Sequence, residues 1–220
     1  MNKKQKYVAV KMDMRSSRRI SDRAAAQERL FATMKALNEE FADAVQSRFI
    51  VTHGDEAQGL LRADMVSSVV RVMERAVDGM RPAILRFGIG LGTLATTIQP
   101  DAIGMDGEAW YRASATIADA ARTRKFVLFS GFGEELDIQS SAMANLLLYL
   151  RYRWTNDQQR VIELVEACPT QAAAAEQLGI SQAAVSKSLR IAGWRYYIDG
   201  RDALVRMLDF ASDGSGDRSF

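Results

Sequence analysis

The sequence of 220 residues contains a single cysteine and a single histidine. One cysteine, Cys168, excludes a disulfide framework and a zinc module held by cysteine ligands. One histidine, His53, excludes a zinc site built from two histidines. Small disulfide-rich folds and the common structural zinc modules are therefore removed from the candidates.

Long apolar runs and a strong excess of one charge are also missing. No apolar stretch approaches the roughly 18 residues that a membrane-spanning helix requires. The stretch that follows the basic start is short and is broken by Lys11 and Asp13, which argues against a signal peptide. We therefore expect a cytoplasmic protein without a membrane partner. The formal net charge is only +2, so the charge of the whole chain does not indicate nucleic-acid binding.

Apolar content and regular periodicity are present. Hydrophobic residues make up 48% of the sequence, which is enough to build a core and excludes disorder as the main state. Before Gly133, strand-like and helix-like patterns alternate in the order β-α-β-β-α-β-α-β. This order predicts an α+β domain of the ferredoxin-like type, in which a sheet with antiparallel strands is covered by helices. After Gly133 every pattern is helical.

This change of pattern predicts how the chain is organised. The predicted parts are an α+β domain at 1–135, a connecting helix at 136–155, an all-α helix-turn-helix domain at 156–210 and a flexible tail at 211–220. The connecting helix carries an apolar stripe formed by Met143, Leu146, Leu147, Leu148 and Leu150. This stripe is wider than packing within one molecule needs, so we predict that the helix also forms a homodimer.

Three local patterns in the α+β domain predict specific elements. A stripe at helical spacing predicts one helix that buries Leu30, Met34, Leu37, Phe41 and Val45. Two strand-like runs flank Gly54, which predicts a β-hairpin with a tight turn. Gly88, Gly90 and Gly92 alternate along a predicted strand. No Gly-Lys-Ser/Thr follows them, so close backbone packing, or a ligand pressed against the strand, is a better interpretation than a phosphate loop.

Three carboxylates are the first candidate site. Asp13 ends the first predicted strand, and Asp55 and Glu56 lie at the tip of the hairpin. If the hairpin pairs beside the first strand, these groups converge and offer the oxygen ligands that Mg²⁺ prefers, with a nucleotide completing the shell. On spacing alone, turn and capping roles for Asp13 and Asp55 are slightly preferred. His53, next to them, is a candidate base or a plain surface group.

The segment after Asp13 is a candidate phosphate site. Its backbone N–H groups and basic side chains are suited to phosphate oxygens of a nucleotide. The predicted nucleotide-binding residues are Arg15, Ser16, Ser17 and Arg18.

Four segments in this half of the chain resemble the SatD family. They are Asp13-Met14-Arg15-Ser16-Ser17-Arg18, the run from Thr52 to Leu61, Arg86-Phe87-Gly88-Ile89-Gly90-Leu91-Gly92, and Asp106-Gly107-Glu108-Ala109. That family joins such a domain to a C-terminal helix-turn-helix. The same segments more distantly resemble the palm-like domain of class III nucleotide cyclases and GGDEF cyclases. That resemblance implies that Asp13 and Asp55 form a metal pair and that Glu56 is a further ligand or a catalytic base.

The sequence departs from the cyclase pattern on the next helix. Class III cyclases use an Asn and an Arg there to steady the transferring phosphate. Aligning Gly107 with the start of that motif puts Tyr111 at the Asn position and Ala115 at the Arg position. Arg112 is close, but it lies at the wrong step of the helix. The departure argues against cyclase activity and leaves nucleotide or metal binding open.

The most specific pattern lies between residues 156 and 192. A first helix is predicted from Asn156 to Ala167 and is ended by Pro169, and a second is predicted from Gln171 to Leu178. Thr170 and Ser181 are suited to cap the second and third helices, and Gly179 supplies a left-handed turn. Ile180 is expected to be buried between the helices, and the run Gln171–Arg190 resembles the bacterial helix-turn-helix superfamily. The alternative is an alanine-rich helical pair that packs against another part of the protein or a partner subunit. A final helix is predicted from Arg201 to Phe210, seated by Trp194, Tyr196, Tyr197 and Ile198.

Local charge favours double-stranded DNA as the partner of this segment. No acidic residue occurs from Ser181 to Ile198. In such a unit the third helix enters the major groove. The residues expected at base edges are Gln182, Ala183, Ser186 and Lys187, and those expected at phosphates are Ser181, Arg190 and Arg195.

Two functions follow from these patterns, and an inactive cyclase-like fold that acts only as a dimer scaffold is a third possibility. The first is a DNA-binding protein, a transcriptional regulator whose α+β domain senses a nucleotide or Mg²⁺. The alternative is a metal-dependent nucleotidyl cyclase or transferase that acts on nucleoside triphosphates through Asp13 and Asp55, with Asp55 and Glu56 as candidate catalytic groups.

Overall fold

The computed structural model describes residues 5–16 and 22–212, and the predicted tail at 211–220 lies almost wholly outside this part. The chain divides into two compact units. The first comprises residues 1–145 and 204–220, and the second comprises residues 146–203. None of the helices in the described part is long and apolar enough to span a bilayer.

The first unit is an α+β fold built on one mixed sheet of five strands. Its strands are β1 (Lys6–Met14), β2 (Val45–His53), β3 (Glu56–Arg62), β4 (Leu85–Thr93) and β5 (Val127–Ser130). Its helices are α1 (Arg23–Glu40), α2 (Ser68–Met80), α3 (Glu108–Arg122) and the first part of α4 (Glu134–Arg153). The strand order is β2-β3-β1-β4-β5, antiparallel throughout except for the parallel pair β4–β5. The predicted alternation of strands and helices is confirmed.

Of the two interpretations of the alternating glycines, close backbone packing is confirmed, and the packed element is α3. A Cβ atom built on Gly90 would lie 2.5 Å from the backbone N of Ala113, and one on Gly92 would lie 2.7 Å from the backbone N of Ala109. The helix therefore rests directly on the strand backbone. Phe87, Ile89 and Leu91, which alternate with the glycines, are also buried, so both faces of the strand are covered.

The hairpin is confirmed, with Gly54 in its turn at φ 34°, but the first helix is shorter than predicted. Asp22 begins α1 by accepting a hydrogen bond from the N–H of Ala25 at 2.9 Å. The helix ends at Glu40, and Val45 is already in β2. The prediction that the stripe continued through Phe41 and Val45 was wrong because apolar residues of a turn and a strand happened to keep helical spacing.

The second unit is entirely helical. It contains the end of α4, α5 (Asn156–Ala167), α6 (Gln171–Leu178), α7 (Gln182–Ile191) and the first part of α8 (Trp194–Ser212). Its aromatic centre contains Trp154, which follows α4, and Tyr197 on α8, whose rings are 4.7 Å apart. The guanidinium of Arg151 on α4 lies 5.2 Å from the Trp154 ring. Arg201 on α8 forms an ion pair with Glu166 on α5 at 2.7 Å.

The last helix begins earlier than predicted. Gly193 adopts φ 67° and ends α7, and the next residue, Trp194, already belongs to α8. Trp194 and Tyr197 lie one helical turn apart and stack at 5.6 Å. Tyr196 faces away from them and is 78% exposed, so it does not seat the helix. The predicted start was too late because the aromatic residues from Trp194 to Tyr197 were interpreted as a separate segment that packs against the helix. They form its first turn instead.

Candidate functional sites

Asp13 lies at the centre of the first candidate site, near the end of β1. It is directly opposite Glu56 on β3 and directly opposite Arg86 on β4. Opposed residues of antiparallel strands point to the same side of a sheet. Because Gly88 and Gly90 share that side of β4 with Arg86, all three charged residues lie on the face that α3 covers.

Arg86 binds the carboxylate of Asp13 with both arms of its guanidinium. Nε donates to Oδ1 and Nη2 donates to Oδ2, each at 2.8 Å. The side chains are 20% and 19% exposed, so water screens this ion pair only in part. The sequence reasoning missed Arg86 as a site residue. Its position opposite Asp13 depends on strand register, although the residue stands in one of the segments that carry the family resemblance.

The carboxylates predicted to bind metal are divided between two clefts. Asp13 and Glu56 line one of about 140 Å³, together with Lys11 of β1 and Ser114 of α3. Asp55 lines another, of about 260 Å³. The other residues of that second cleft are Met14, Gly54, Arg23, Ala24, Ala26 and Gln27. Within residues 5–16 and 22–212, no three Asp, Glu, His or Cys side chains are grouped closely enough to hold a metal ion.

The expected phosphate-binding amides are already occupied where the structure describes them. The N–H of Met14 donates to the carbonyl of Asp55 at 3.0 Å, and the N–H of Arg15 donates to the carbonyl of Ile84 at 2.7 Å. The expectation of free donors was wrong for these two residues because the chain continues its strand-like pairing past Asp13. Ser16 turns the chain at φ 57°, and the predicted Ser17 and Arg18 lie outside the described residues.

Tyr111, at the Asn position of the cyclase pattern, and the nearby Arg112 hold other interactions here. Tyr111 donates its hydroxyl to Asp106 at 2.7 Å, and this hydrogen bond to a carboxylate raises the pKa of Tyr111. Arg112 donates to the carbonyl of Leu91 at 2.5 Å and pairs with Glu108 at 2.7 Å. His53 is exposed at the end of β2, opposite Glu56. The polar groups of Tyr111 and Arg112 are therefore engaged in contacts within the first unit.

The second candidate site is α7, and the local geometry that presents it follows the sequence closely. Thr170 begins α6 by accepting from the N–H of Ala173, and Ser181 begins α7 by accepting from the N–H of Ala184, each at 3.2 Å. Between the helices Gly179 is left-handed at φ 67°, ψ 30°. The predicted bounds of α5 and α6 agree with the structure to the residue.

One side of α7 is buried and the other is exposed. Val185 and Leu189 are 0% and 6% exposed and hold the helix in the unit. The exposed set is Ser181, Gln182, Ala183, Ser186, Lys187 and Arg190, and Arg195 on α8 is exposed as well. Every residue predicted to contact DNA is therefore accessible.

The cations of this surface have no acidic partner within the described part of the chain. No ion pair there involves Lys187, Arg190 or Arg195. Ser181 accepts a hydrogen bond as a helix cap, which leaves its hydroxyl hydrogen free to donate. Ile180 is 42% exposed, so the prediction that it is buried between the helices was wrong. Ile180 lies in the turn between α6 and α7 and belongs to neither helix.

Comparisons with known proteins give one family and several distant structures. The model of the SatD family matches residues 7–208. A search of curated proteins finds no match.

Two structures of a bacterial light-regulated adenylyl cyclase align with TM-scores of 0.45 over 58% of this chain, at 10% and 11% identity. The alignments cover 44% and 77% of those chains, so this chain spans less than half of the first. A Csm1–Csm4 cassette in complex with cA4 aligns at 14% identity and a TM-score of 0.36, covering 95% of this chain and 37% of the other. At these TM-scores the likeness identifies neither fold nor function.

Proposed function

The chain belongs to the SatD family, and on that premise we propose that it is a DNA-binding transcriptional regulator. In this proposal the second unit is a helix-turn-helix module, α6 and α7 form its bihelical motif, and double-stranded DNA is the partner. The first unit, with a palm-like α+β fold, binds a nucleotide as its signal.

The exposed face of α7 carries this proposal. An amphipathic helix that only stabilises a bundle has no need of an exposed side that lacks acidic residues. Here that side presents Gln182, Lys187 and Arg190, and α7 begins at a capped N-terminus after a left-handed turn. This arrangement is typical of a recognition helix that enters the major groove with its N-terminal residues at the base edges.

The proposed contacts divide by chemistry. Gln182 pairs with an adenine edge through its amide, and Lys187 donates to the acceptors of guanine. Ala183 contacts the methyl group of thymine, and Ser186 bonds to either type of base pair. Ser181, Arg190 and Arg195 bind phosphates, which fix the register without reading sequence.

Salt-dependent binding of duplex DNA by the full chain tests this function. Duplexes selected from a randomised pool are titrated with protein, and fluorescence anisotropy is measured at several salt concentrations. We expect the logarithm of the association constant to fall linearly with the logarithm of salt concentration, with a slope of about −0.9 for each phosphate neutralised. Absence of any duplex binding at about 50 mM salt contradicts the proposal.

The cleft that contains Asp55 supports nucleotide binding by the first unit. It lies where β1, the hairpin turn and the start of α1 meet, and Arg23 provides a cation there. Arg15 and Ser16 follow Met14, which lines the cleft, and the predicted Ser17 and Arg18 come next in the sequence. We propose that phosphate oxygens bind to these side chains, since the amides of Met14 and Arg15 are already used.

Nucleotidyl cyclase or transferase activity is the alternative function. The ion pair between Asp13 and Arg86 weighs against it, because the proposed metal aspartate already has a cation. We expect no pyrophosphate when the protein is incubated with the four nucleoside triphosphates and either Mg²⁺ or Mn²⁺. Pyrophosphate release that is lost in both Asp13→Ala and Asp55→Ala variants establishes the enzyme instead.

A homodimer through α4 is also part of the proposal. Leu147 and Leu148 are buried, whereas Leu146 and Tyr149 are 63% and 50% exposed and lie one helical turn apart. Two apolar side chains on one exposed helix face suit a second copy of the chain. A two-fold dimer presents two recognition helices to half-sites about 34 Å apart.

Light scattering at high protein concentration tests the dimer. We expect twice the chain mass for the wild type and a monomer for the double variant Leu146→Glu, Tyr149→Glu, because two carboxylates on the α4 face oppose burial. Phe31→Glu on α1, where the side chain is 54% exposed, is the control and is expected to remain dimeric. A strict monomer for the wild type, with and without DNA, contradicts dimerisation.

A further inference from the structure

The cation that neutralises Asp13 belongs to the protein itself. Both carboxylate oxygens of Asp13 accept hydrogen bonds from Arg86, and the two planar groups meet in the paired geometry that favours arginine over lysine. Each side chain is about four-fifths buried, with 20% and 19% exposed. A carboxylate held in this way has a hydrogen bond on each oxygen and its charge balanced by the guanidinium.

Strand register maintains this contact. Arg86 is the direct cross-strand neighbour of Asp13, so the guanidinium reaches the carboxylate across one strand spacing. Along the α3 face of β4, Gly92, Gly90 and Gly88 have no side chain, and Arg86 comes next. Among these four positions of β4, only Arg86 has a side chain, and it lies directly opposite Asp13.

The charges on this face balance. Lys11 and Arg86 provide two cations, and Asp13 and Glu56 provide two carboxylates, all on neighbouring positions of the sheet. The ammonium of Lys11 donates to Ser114 Oγ at 3.1 Å. A site for a divalent cation needs an excess of anionic oxygen, and this face has none. Asp55 lines the other cleft and does not supply the missing charge.

We propose that Arg86 is a resident cation that takes the place of a divalent metal at Asp13, so that the first unit binds its ligand without a metal ion. The residues present do not fit Mg²⁺. A metal ion at Asp13 would have to displace the guanidinium or lie directly beside it, and either arrangement leaves Arg86 partly buried next to a like charge. This inference concerns the first unit and is independent of DNA binding by the second.

Binding of Mn²⁺ tests the proposal, with the electron paramagnetic resonance signal of the free ion as the measure. We expect the full-length wild type and Asp13→Asn to bind Mn²⁺ equally weakly. Arg86→Gln removes the resident charge and is expected to bind Mn²⁺ at least about tenfold more tightly. The double variant Arg86→Gln, Asp13→Asn is expected to lose that gain.

Arg48→Gln is the matched control. Arg48 also pairs with an aspartate, Asp101, at 2.7 Å, but its side chain is 60% exposed. The same substitution there is expected to leave Mn²⁺ binding at the wild-type level. A wild type that binds Mn²⁺ more tightly than Asp13→Asn overturns the proposal, as does a folded Arg86→Gln variant that gains no binding.

A measurement on the wild type alone remains decisive if Arg86→Gln does not fold. Mn²⁺ broadens the amide resonances of nearby residues, so amides of residues 12–14 and 85–87 report directly on a metal at Asp13. We expect these resonances to stay sharp in nuclear magnetic resonance spectra at substoichiometric Mn²⁺. Selective broadening of both segments overturns the proposal.

Discussion

The full-length protein that carries Lys187→Glu and Arg190→Glu is expected to bind duplex DNA about 100- to 1,000-fold more weakly than the wild type. A base contact and a phosphate contact each contribute about 1–3 kcal/mol, and each new carboxylate adds repulsion from the phosphate backbone. The slope of the logarithm of the association constant against the logarithm of salt concentration should also become shallower by about 0.9 for each lost phosphate contact. Fluorescence anisotropy at several salt concentrations measures both quantities.

The fold should survive this change, because both side chains are exposed and α7 is held by Val185 and Leu189. Lys35→Glu with Arg122→Glu is the matched control, since it alters net charge equally and also replaces exposed side chains. The control should keep most of the wild-type affinity. If both double variants lose affinity equally, α7 is not the DNA-binding surface and only the total charge matters.

Single substitutions divide the two kinds of contact. Arg190→Ala is expected to weaken binding about equally for every duplex, since phosphate contacts do not read sequence. Gln182→Ala is expected to relax the preference at one base pair by about 1–3 kcal/mol. A uniform loss for Gln182→Ala shows that this residue does not contact a base edge.

The second large effect is expected from Gly90→Ala, which should destabilise the first unit by about 3 kcal/mol or more. The new methyl group would overlap the backbone of α3, including the N of Ala113 at 2.5 Å. A helix backbone cannot rotate away as a flexible side chain does, so either the helix or the strand must move. Calorimetry or thermal unfolding followed by circular dichroism measures the loss.

Gly104→Ala separates this overlap from the ordinary cost of replacing glycine. Gly104 has φ 69°, and an added Cβ would meet no atom within 4 Å. Its substitution should therefore cost only the left-handed penalty of about 1–2 kcal/mol. An effect of Gly90→Ala no larger than that of Gly104→Ala means that α3 does not rest on the strand backbone as described.

Local sequence was sufficient for much of the helical unit. The caps Thr170 and Ser181 and the left-handed Gly179 act within one or two turns of the chain, so they fixed the bounds of α6 before any tertiary contact was known. The exposed side of α7 also follows from its own periodicity. Ile180 was assigned wrongly, because an apolar residue in a turn has no periodic partner to set its direction.

Sequence by itself determined the order of strands and helices, the hairpin at Gly54 and the cation-rich side of α7, because periodicity and turn chemistry are properties of neighbouring residues. Only the tertiary structure decided what surrounds the carboxylates. Strand register brings Arg86, 73 residues away in the chain, against Asp13, and the two faces of the sheet separate Asp13 from Asp55. The register between distant strands is set by the burial of the whole sheet, so the residues around Asp13 do not predict that Arg86 lies opposite it.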